Sequence, residues 1–199
     1  MACVYAVRCN FTDAPCEAEW NAWYNGCKLP SLLSKPLFLG GQRFQAHALD
    51  TRRKYLALWY VEGPEAFTTP EYKADWGFGE WARHIGDWSR DLFRAPDGDI
   101  ATRLATPLDG AIYLASFEDV AADQAANAFQ AMRAAAPEAA WLPAAGLDRH
   151  SPYLGLRRVA RDFRPPPLPA AARGVREAIF VPLVPFGPAR PAASTAIKA

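Results

Sequence analysis

The sequence of 199 residues is short of histidine, methionine and net charge. It has three histidines and two methionines, and its formal net charge at pH 7 is +1. So small a charge creates no long-range field that would attract nucleic acid or an anionic membrane. No apolar run approaches the roughly 20 residues of a membrane-spanning helix. We therefore expect neither nucleic acid nor a membrane among the partners.

Cysteine is scarce as well, and its four positions all lie near the start, at Cys3, Cys9, Cys16 and Cys27. None forms a C-x-x-C pair, and none lies near a histidine at a spacing typical of metal ligands. No signal peptide is visible, because Arg8 interrupts the only apolar stretch near the start. Reduced thiols, no metal and a cytoplasmic location are therefore expected.

The motifs that mark common cofactor and hydrolase chemistry are missing. The sequence contains no phosphate-binding G-x-x-x-x-G-K-[ST], no G-x-G-x-x-G after a strand, no H-E-x-x-H and no G-x-S-x-G. We therefore expect no cofactor. Seven arginines between positions 149 and 176 form a basic segment, but a near-neutral chain without a nucleic-acid motif favours a solvated face.

Aromatic residues are what the sequence has in abundance. It contains 7 Trp, 7 Tyr and 11 Phe, most of them before residue 95. Two interpretations are open: these rings line a flat apolar pocket, or they form a bulky core and a subunit interface. On a predicted first helix, Trp20, Trp23, Tyr24 and Cys27 recur at i, i+3, i+4 and i+7, so one helical face is expected to pack inward.

The first half of the chain predicts an α+β domain over residues 1–95. Strands are predicted over 3–11, 37–48, 55–61 and 88–93, from their β-branched and aromatic content. Helices are predicted after the first strand and from Thr69-Pro70, which reads as a cap followed by proline at the first helical position. The resulting order β-α-β-β-α-β is that of the ferredoxin-like fold.

The second half repeats this pattern incompletely over residues 108–184. Strands are predicted over 111–117, 153–159 and 178–184, and a helix over 124–136. No second crossover helix and no fourth strand is predicted, so this half is expected to be a degenerate ferredoxin-like repeat. Residues 185–199 are expected to form a mobile tail. An incomplete second half favours a homodimer that pairs the first-half sheets.

Three segments carry a resemblance to a known superfamily: EWNAWYN at 19–25, LP at 29–30 and GQRF at 41–44. Together they resemble the dimeric α/β-barrel superfamily and, more narrowly, are similar to EthD-like proteins. The resemblance covers roughly the first 95 residues. It implies two ferredoxin-like sheets that close into a barrel, from two subunits or from tandem halves, and a ligand cavity between sheet and helices. Closing the barrel removes exposed sheet edges.

Lys28 stands where such proteins often have a histidine before Leu-Pro. An ordinary lysine here stays charged and can anchor an anion, whereas a lysine desolvated among aromatic rings can act as a base or a Schiff-base nucleophile. A solvated lysine at a helix C-terminus is the third interpretation. The sequence leaves all three open.

His84 and Asp87 form a second candidate pair for catalysis. If a helix continues through them, the carboxylate of Asp87 can orient the ring of His84 for proton transfer. The alternative is a helix-end histidine that caps a carbonyl. Arg43 is predicted to clamp an anion or to form a structural ion pair.

The remaining candidates are wall residues of the expected cavity. His47 shares a strand face with Arg43 and is expected either to line the cavity or to face solvent. The other candidate ligand-binding residues are aromatic, although core packing also explains them: Trp23, Tyr24, Trp59, Trp81 and Trp88.

These features favour a cofactor-independent enzyme that acts on a hydrophobic, aromatic or polyketide-like small molecule by proton transfer. A lyase, decarboxylase, cyclase or isomerase fits a site rich in aromatics and poor in titratable groups. The alternatives are a non-catalytic binding protein and a haem-dependent or cofactor-free oxidative enzyme of the same superfamily. The sequence alone specifies neither the substrate nor the reaction.

Overall fold

The computed structural model describes residues 2–49, 52–96 and 99–189, which form nine strands and five short α-helices. The strands are β1 (Cys3–Phe11), β2 (Phe38–Ala48), β3 (Tyr55–Val61), β4 (Ile85–Arg94), β5 (Gly110–Ser116), β6 (Ala140–Leu147), β7 (Tyr153–Ala160), β8 (Arg176–Pro182) and β9 (Gly187–Pro188). The helices are α1 (Glu17–Trp23), α2 (Leu29–Leu33), α3 (Pro70–Ala74), α4 (Ile100–Leu104) and α5 (Ala125–Ala135).

Eight strands form a closed antiparallel ring. Their order is β3-β1-β4-β6-β7-β5-β8-β2, and β2 pairs back with β3 to complete the circle. Strand β9 extends the pairing along β2, beside Gly40 and Gly41. Because the ring is closed, none of its eight strands is left as a free edge.

The ring consists of two repeats with the same internal order. The first repeat runs β4-β1-β3-β2 and the second runs β8-β5-β7-β6, which is the ferredoxin-like order in both. Two seams join them: β4 pairs with β6, where Asp91 faces Leu147, and β2 pairs with β8, where Gln45 faces Val181. The barrel therefore closes within one chain.

The second repeat contains a fourth strand, β6, and the expectation that it has none was wrong. The segment Ala140–Leu147 is rich in alanine and contains Pro143, which lowers its apparent strand propensity. Between β7 and β8 the described crossover holds a single 3₁₀ turn, Ala170–Ala172. The sheet edges that a homodimer was expected to use are paired within the chain, so the incomplete half on which that expectation rested does not exist.

Side chains alternate across the sheet between the barrel interior and the crossover segments. On β1, Val4 and Ala6 belong to the apolar barrel interior, whereas Tyr5 and Val7 pack beneath the crossovers of the first repeat. A third apolar cluster, around Phe129, lies between α5 and the sheet of the second repeat. The molecule thus has an apolar cluster inside the barrel and two separate outer layers, one for each repeat.

Most elements lie where the sequence predicts them. Strands β1 and β3 match their predicted bounds, and the predicted strand 88–93 falls within the longer β4. Of the expected C-terminal tail, Gly187–Pro188 forms β9, while residues 190–199 lie outside the described part of the chain. No disulfide joins any two of the four cysteines. Among the described helices, none combines the length and apolarity needed to cross a membrane.

Candidate functional site

A pocket opens on the outer face of the first repeat, between the sheet and both crossovers. It holds about 360 Å³ of unfilled space, counted out to its open mouth. Strand residues form its floor: Tyr5, Val7, Trp59 and Trp88. The crossovers form its walls: Tyr24, Lys28, Leu32, Tyr72, Trp76, Gly77 and Phe78. We call this cavity the first pocket.

A π turn brings Lys28 into the first pocket. Helix α1 runs directly into a π-helical turn, Tyr24–Lys28, and then into α2. A π turn holds one more residue than an α turn, so the inward pattern is delayed by one position. Lys28 is therefore buried, whereas Cys27, which the periodicity predicts to face inward, is exposed.

The ammonium group of Lys28 is held by Asp75. Its Nζ donates to the backbone carbonyl of Asp75 over 2.6 Å and lies 3.4 Å from the Oδ1 of the same residue. Burial lowers the pKa of Lys28, and the attraction of Asp75 opposes that shift. The Asp75 carboxylate also accepts from the hydroxyl of Ser31 and pairs with Lys35, and these contacts lower its own pKa. A cation with few water contacts thus faces the pocket.

Two tyrosine hydroxyls meet in the first pocket. The hydroxyl oxygens of Tyr5 and Tyr72 are 3.5 Å apart, and both side chains are buried. Burial raises the pKa of Tyr5 well above its ordinary value, and the neighbouring Tyr72 raises it further. The phenol of Tyr5 therefore stays protonated at neutral pH and acts as a hydrogen-bond donor or acceptor.

Two tryptophans of the pocket have unsatisfied donors. The Nε1 atoms of Trp59 and Trp88 are buried and have no acceptor among the described residues. A buried indole N–H without a partner is uncommon in native proteins, since leaving its hydrogen bond unmade costs about 1–3 kcal/mol. Trp20 and Trp81, which do not line the pocket, have the same unsatisfied donor in the described part of the chain.

A wider chamber adjoins the first pocket and shares Tyr72 and Trp76 with it. With its open side included, the chamber holds about 750 Å³. Its cationic lining residues are Lys73 and Arg90. The guanidinium of Arg90 stacks over the rings of Trp76 and Trp88, 5.2 and 5.4 Å from their centroids. Arg90 also pairs with Asp148, whose Oδ1 lies 3.3 Å from Nε, so the cation stacked on the aromatic faces is partly balanced by a carboxylate.

Four of the ten predicted site residues line the first pocket: Tyr24, Lys28, Trp59 and Trp88. Arg43 is buried beneath the helix instead, where its guanidinium donates to Asn25 Oδ1 over 2.7 Å and to Asn21 Oδ1 over 3.0 Å. The same guanidinium lies 3.9 Å from the centroid of the Tyr24 ring. Both oxygens bonded to Arg43 are neutral amides, so Arg43 ties the π turn to the sheet from behind the pocket.

The expected pairing of His84 with Asp87 was wrong. The 3₁₀ segment Gly79–His84 ends at the histidine, and the extended backbone of β4 then carries Asp87 away from it. The carboxylate nearest to His84 is that of Asp13, 3.5 Å from Nδ1. Asp87 is bound instead by the guanidinium groups of Arg52 and Arg53.

The other predicted wall residues lie elsewhere. Trp81 is buried against Trp23 and Phe11, outside the first pocket, and His47 is exposed on β2. None of the three histidines lines the pocket. In the described part of the chain, no three His, Cys, Asp or Glu side chains are grouped so that they could hold a metal ion.

Sequence reasoning missed the residues that define the polar end of the pocket: Tyr5, Tyr72, Asp75 and Trp76. Strand β1 is apolar on both faces except at Arg8, so alternation could not show which face carries the pocket. A signal did exist for Tyr72. Thr69 and Pro70 predict the start of α3, and the Tyr72 amide donates to the Thr69 hydroxyl over 3.2 Å.

Comparison with known proteins identifies the fold. No protein family matches the chain, and no curated protein is detectably similar to it in sequence. A candidate monooxygenase from Lactobacillus acidophilus has a similar structure, with a TM-score of 0.51, 8% identity and coverage of 94% of this chain and 97% of that chain. An anthrone oxidase-like protein also has a TM-score of 0.51, with 12% identity and coverage of 98% and 96%.

A candidate monooxygenase from Fusobacterium nucleatum has the same TM-score of 0.51, with 12% identity and 94% coverage of both chains. These likenesses extend over nearly the whole chain, so they include both repeats. They agree with the strand order in assigning a ferredoxin-like α/β-barrel fold.

Proposed function

We propose that the protein is an enzyme that binds an aromatic, polyketide-like small molecule in the first pocket and converts it to a stabilised oxyanion. One observation carries the proposal: aromatic walls surround several hydrogen-bond donors and one buried ammonium group. Aromatic faces suit a planar ligand, and the donors suit its carbonyl or hydroxyl oxygens.

The donors would act by favouring the deprotonated form of the ligand. Loss of a proton from an acidic carbon next to a carbonyl places negative charge on the carbonyl oxygen. The ammonium of Lys28 attracts that charge, and the phenols of Tyr5 and Tyr72 are available to donate hydrogen bonds to it. Because these three side chains are buried, their interactions with the ligand are stronger than they would be in water. The released proton passes to water at the pocket mouth.

The enolate so formed can be reprotonated at another atom, which isomerises the molecule without any change in oxidation state. Proton transfer of this kind is the chemistry of isomerases and cyclases, and of decarboxylases when carbon dioxide is the group that leaves. The cationic chamber around Arg90 and Lys73 suits a substrate that also carries a carboxylate.

Oxidation is the second candidate reaction, and the similar fold of an anthrone oxidase-like protein favours it. An electron-rich enolate can reduce dioxygen. In the balanced reaction a methylene carbon and O₂ give a carbonyl and water, a four-electron oxidation of the substrate. Formation of the enolate is common to both candidates, so one experiment tests the shared step.

The test uses anthrone, an aromatic ketone with an acidic methylene. Hydrogen–deuterium exchange at that methylene is followed by NMR without oxygen, and oxygen uptake is then measured in air. We expect the protein to accelerate exchange and the Lys28→Met variant to lose about a hundredfold of that acceleration, as on removal of a group that stabilises an oxyanion. Oxygen uptake coupled to quinone formation would select the oxidative reaction.

Lys35→Met is the matched control, because Lys35 pairs with the same Asp75 but does not line the pocket. This variant should retain exchange, and so should His84→Ala, since His84 lies outside the pocket. Loss of exchange in His84→Ala would return the catalytic role to that histidine. Tight binding of anthrone without exchange or oxygen uptake would support a binding protein instead.

Several finer assignments belong to the same proposal. We also propose that the chain is related to EthD-like proteins, on the basis of residues 19–25, 29–30 and 41–44, and that it is located in the cytoplasm. A haem enzyme is a poorer fit, because neither the first pocket nor the adjoining chamber has a histidine in its lining. A homodimer would have to use a surface other than the paired barrel seams, and light scattering would detect it.

A further inference from the structure

A second cavity occupies the same place on the second repeat that the first pocket occupies on the first. It holds about 400 Å³ of unfilled space, counted to its open side, and we call it the second pocket. Its walls are apolar and come from the end of α5 and from the crossover between β7 and β8, including Met132, Phe163 and the prolines at 165–167 and 169. Nothing in the proposed reaction uses this cavity.

The strand register shows that the two pockets are built on equivalent positions. On β1, Tyr5 faces Trp59 of β3, and on β5 the residue in the same place, Tyr113, faces Arg157 of β7. Likewise Val7 faces Arg90, whereas Ala115 faces Glu177. The second repeat therefore keeps the tyrosine but exchanges the cation of Arg90 for a carboxylate.

Glu177 is a half-buried carboxylate without a cation. Its Oε1 accepts a hydrogen bond from the hydroxyl of Tyr113 over 2.6 Å, which is its only polar contact among the described residues. Arg157 also lines the second pocket, but its guanidinium is bound to Glu138 and stacks on the ring of Phe163. The carboxylate of Glu138, the other acidic residue that lines the pocket, is thus paired with a cation of the protein, whereas that of Glu177 is not.

Burying a carboxylate without a cation is unfavourable, because burial penalises its charged form. Burial raises the pKa of Glu177, and the single hydrogen bond from Tyr113 only partly opposes this shift. By contrast, the carboxylates of Glu118 and Asp91 elsewhere in the molecule are each bound by arginine. The pocket lacks one positive charge, and a cationic ligand would supply it.

We propose that the second pocket is a binding site for a flat apolar molecule that carries a protonated amine, with the amine on Glu177 and the apolar body against Met132, Phe163 and the proline segment. The second oxygen of Glu177, which has no partner within the described chain, would accept from the ammonium. This site is independent of the reaction proposed for the first pocket.

The test uses three probes of the same shape: 1-naphthylmethylamine, the neutral 1-naphthylmethanol and the anionic 1-naphthoate. The full-length protein is labelled with ¹³C at its methionine methyl groups. It has only two methionines, Met1 and Met132, so Met132→Leu assigns the signal from the second pocket. We expect the amine to shift the Met132 signal saturably and to bind at least about tenfold more tightly than the alcohol, with the naphthoate weakest.

Glu177→Gln should lower the affinity for the amine to that for the alcohol and leave the alcohol unchanged. The matched variant Glu138→Gln should keep the preference for the amine, because Glu138 is already paired with Arg157. Equal affinities for amine and alcohol in the native protein would overturn the proposal, and this comparison needs no variant to fold. A preference that survives in Glu177→Gln, or a Met132 signal that does not move, would overturn it too.

A negative result for amine binding in the second pocket is distinguishable from a negative result for the reaction proposed in the first pocket. Lys28→Met changes the first pocket only and should leave the Met132 response to the amine unchanged. Anthrone exchange and the Met132 signal therefore report on separate cavities.

Discussion

The two repeats have the same strand order but cover their outer faces with different material. In the first repeat both crossovers contain helical turns, and these bring tyrosine, tryptophan and a lysine over the sheet. In the second repeat one crossover is the helix α5, and the other is a proline-rich segment with a single 3₁₀ turn. Chain topology thus defines where a cavity can form, whereas the crossover residues decide its charge and polarity.

Each repeat packs one large ring over a glycine of the neighbouring strand, although the two glycine–tryptophan pairs are not at equivalent positions. In the first repeat the ring of Trp59 fills the space where Gly41 of the neighbouring strand lacks a Cβ. In the second repeat the ring of Trp141 does the same over Gly155. The large residue is on β3 in one case and on β6 in the other. A missing Cβ on one strand therefore makes room for a ring on its partner.

The largest expected effect is on stability, at a position where the two repeats carry very different side chains. Arg43 faces Ala57, and Trp141 occupies the equivalent place opposite Gly155. Trp141→Ala should lower the free energy of unfolding by about 4 kcal/mol, because the side chain is buried and Gly155 offers nothing to refill the void. Arg43→Met should cost only about 2 kcal/mol, since it loses hydrogen bonds but keeps much of its packing volume.

Urea unfolding of both variants gives the comparison. Trp141 also donates from Nε1 to the carbonyl of Ala136 over 2.8 Å, so Trp141→Phe separates this hydrogen bond from the ring volume. A larger loss of unfolding free energy in Arg43→Met than in Trp141→Ala would mean that the buried guanidinium of the first repeat contributes more to stability than the buried ring of the second.

The next effect concerns the charges that join the repeats. Glu118 of the second repeat is bound by Arg8 and Arg53 of the first, and Arg53 Nη1 lies 2.7 Å from Oε2. Glu118→Gln should cost about 3 kcal/mol at pH 7, because it removes the carboxylate that two buried guanidinium groups share and leaves Arg8 with that of Asp91 and Arg53 with that of Asp87. The exposed pair of Arg157 with Glu138 is the control, and Glu138→Gln should cost at most about 1 kcal/mol.

The difference in unfolding free energy between the native protein and Glu118→Gln should depend on pH. Burial raises the pKa of Glu118, but Arg8 and Arg53 together outweigh it, so the pKa is lowered on folding. The carboxylate therefore contributes fully above its unfolded pKa of about 4.3, and this contribution is lost as the pH falls through the lower folded value. The stability difference between native protein and Glu118→Gln should shrink in that window. A difference that stays constant between pH 7 and pH 3 would contradict this assignment.

The fold was more predictable than the site, for a physical reason. Strands such as β1 and β3 are dense in β-branched and aromatic residues, so local propensity and tertiary packing agree there. Strand β6 was missed because its pairing with β4 and β7 stabilises an alanine-rich segment that has little propensity of its own. The barrel closes within one chain only because β6 pairs with β4, so this closure could not be predicted without β6.

The site depends on details that single-residue patterns do not carry. The π turn moves Lys28 inward by adding one residue to a turn, and the heptad-like spacing of Trp20 and Tyr24 gives no sign of it. The end of the 3₁₀ segment at His84 separates that residue from Asp87. Both outcomes depend on where a helix changes type or stops, which is the least predictable feature of a sequence.

The smallest expected effect on stability distinguishes a pocket wall from the core. Trp88→Leu should change the free energy of unfolding by no more than about 1 kcal/mol, because the ring is only partly buried at the first pocket, yet it should weaken binding of an aromatic ligand. Trp81→Leu should do the reverse, since Trp81 is buried outside the pocket. Tryptophan fluorescence titration and urea unfolding on both variants provide the measurements. Weaker binding in Trp81→Leu alone would exchange the two roles.

The seam between β2 and β8 has a consequence for how the chain folds. Phe44 pairs with Pro182, so the barrel cannot close until the chain has been synthesised past residue 182. Contacts between residues so distant in sequence form slowly, because a long loop must be closed before they contribute. Until then the nascent first repeat exposes the edge of β2 that will receive β8 and the edge of β4 that will receive β6. During that interval a second nascent chain is a competing partner for these edges, and exchange of repeats between two chains is the misfolded product that this topology makes accessible.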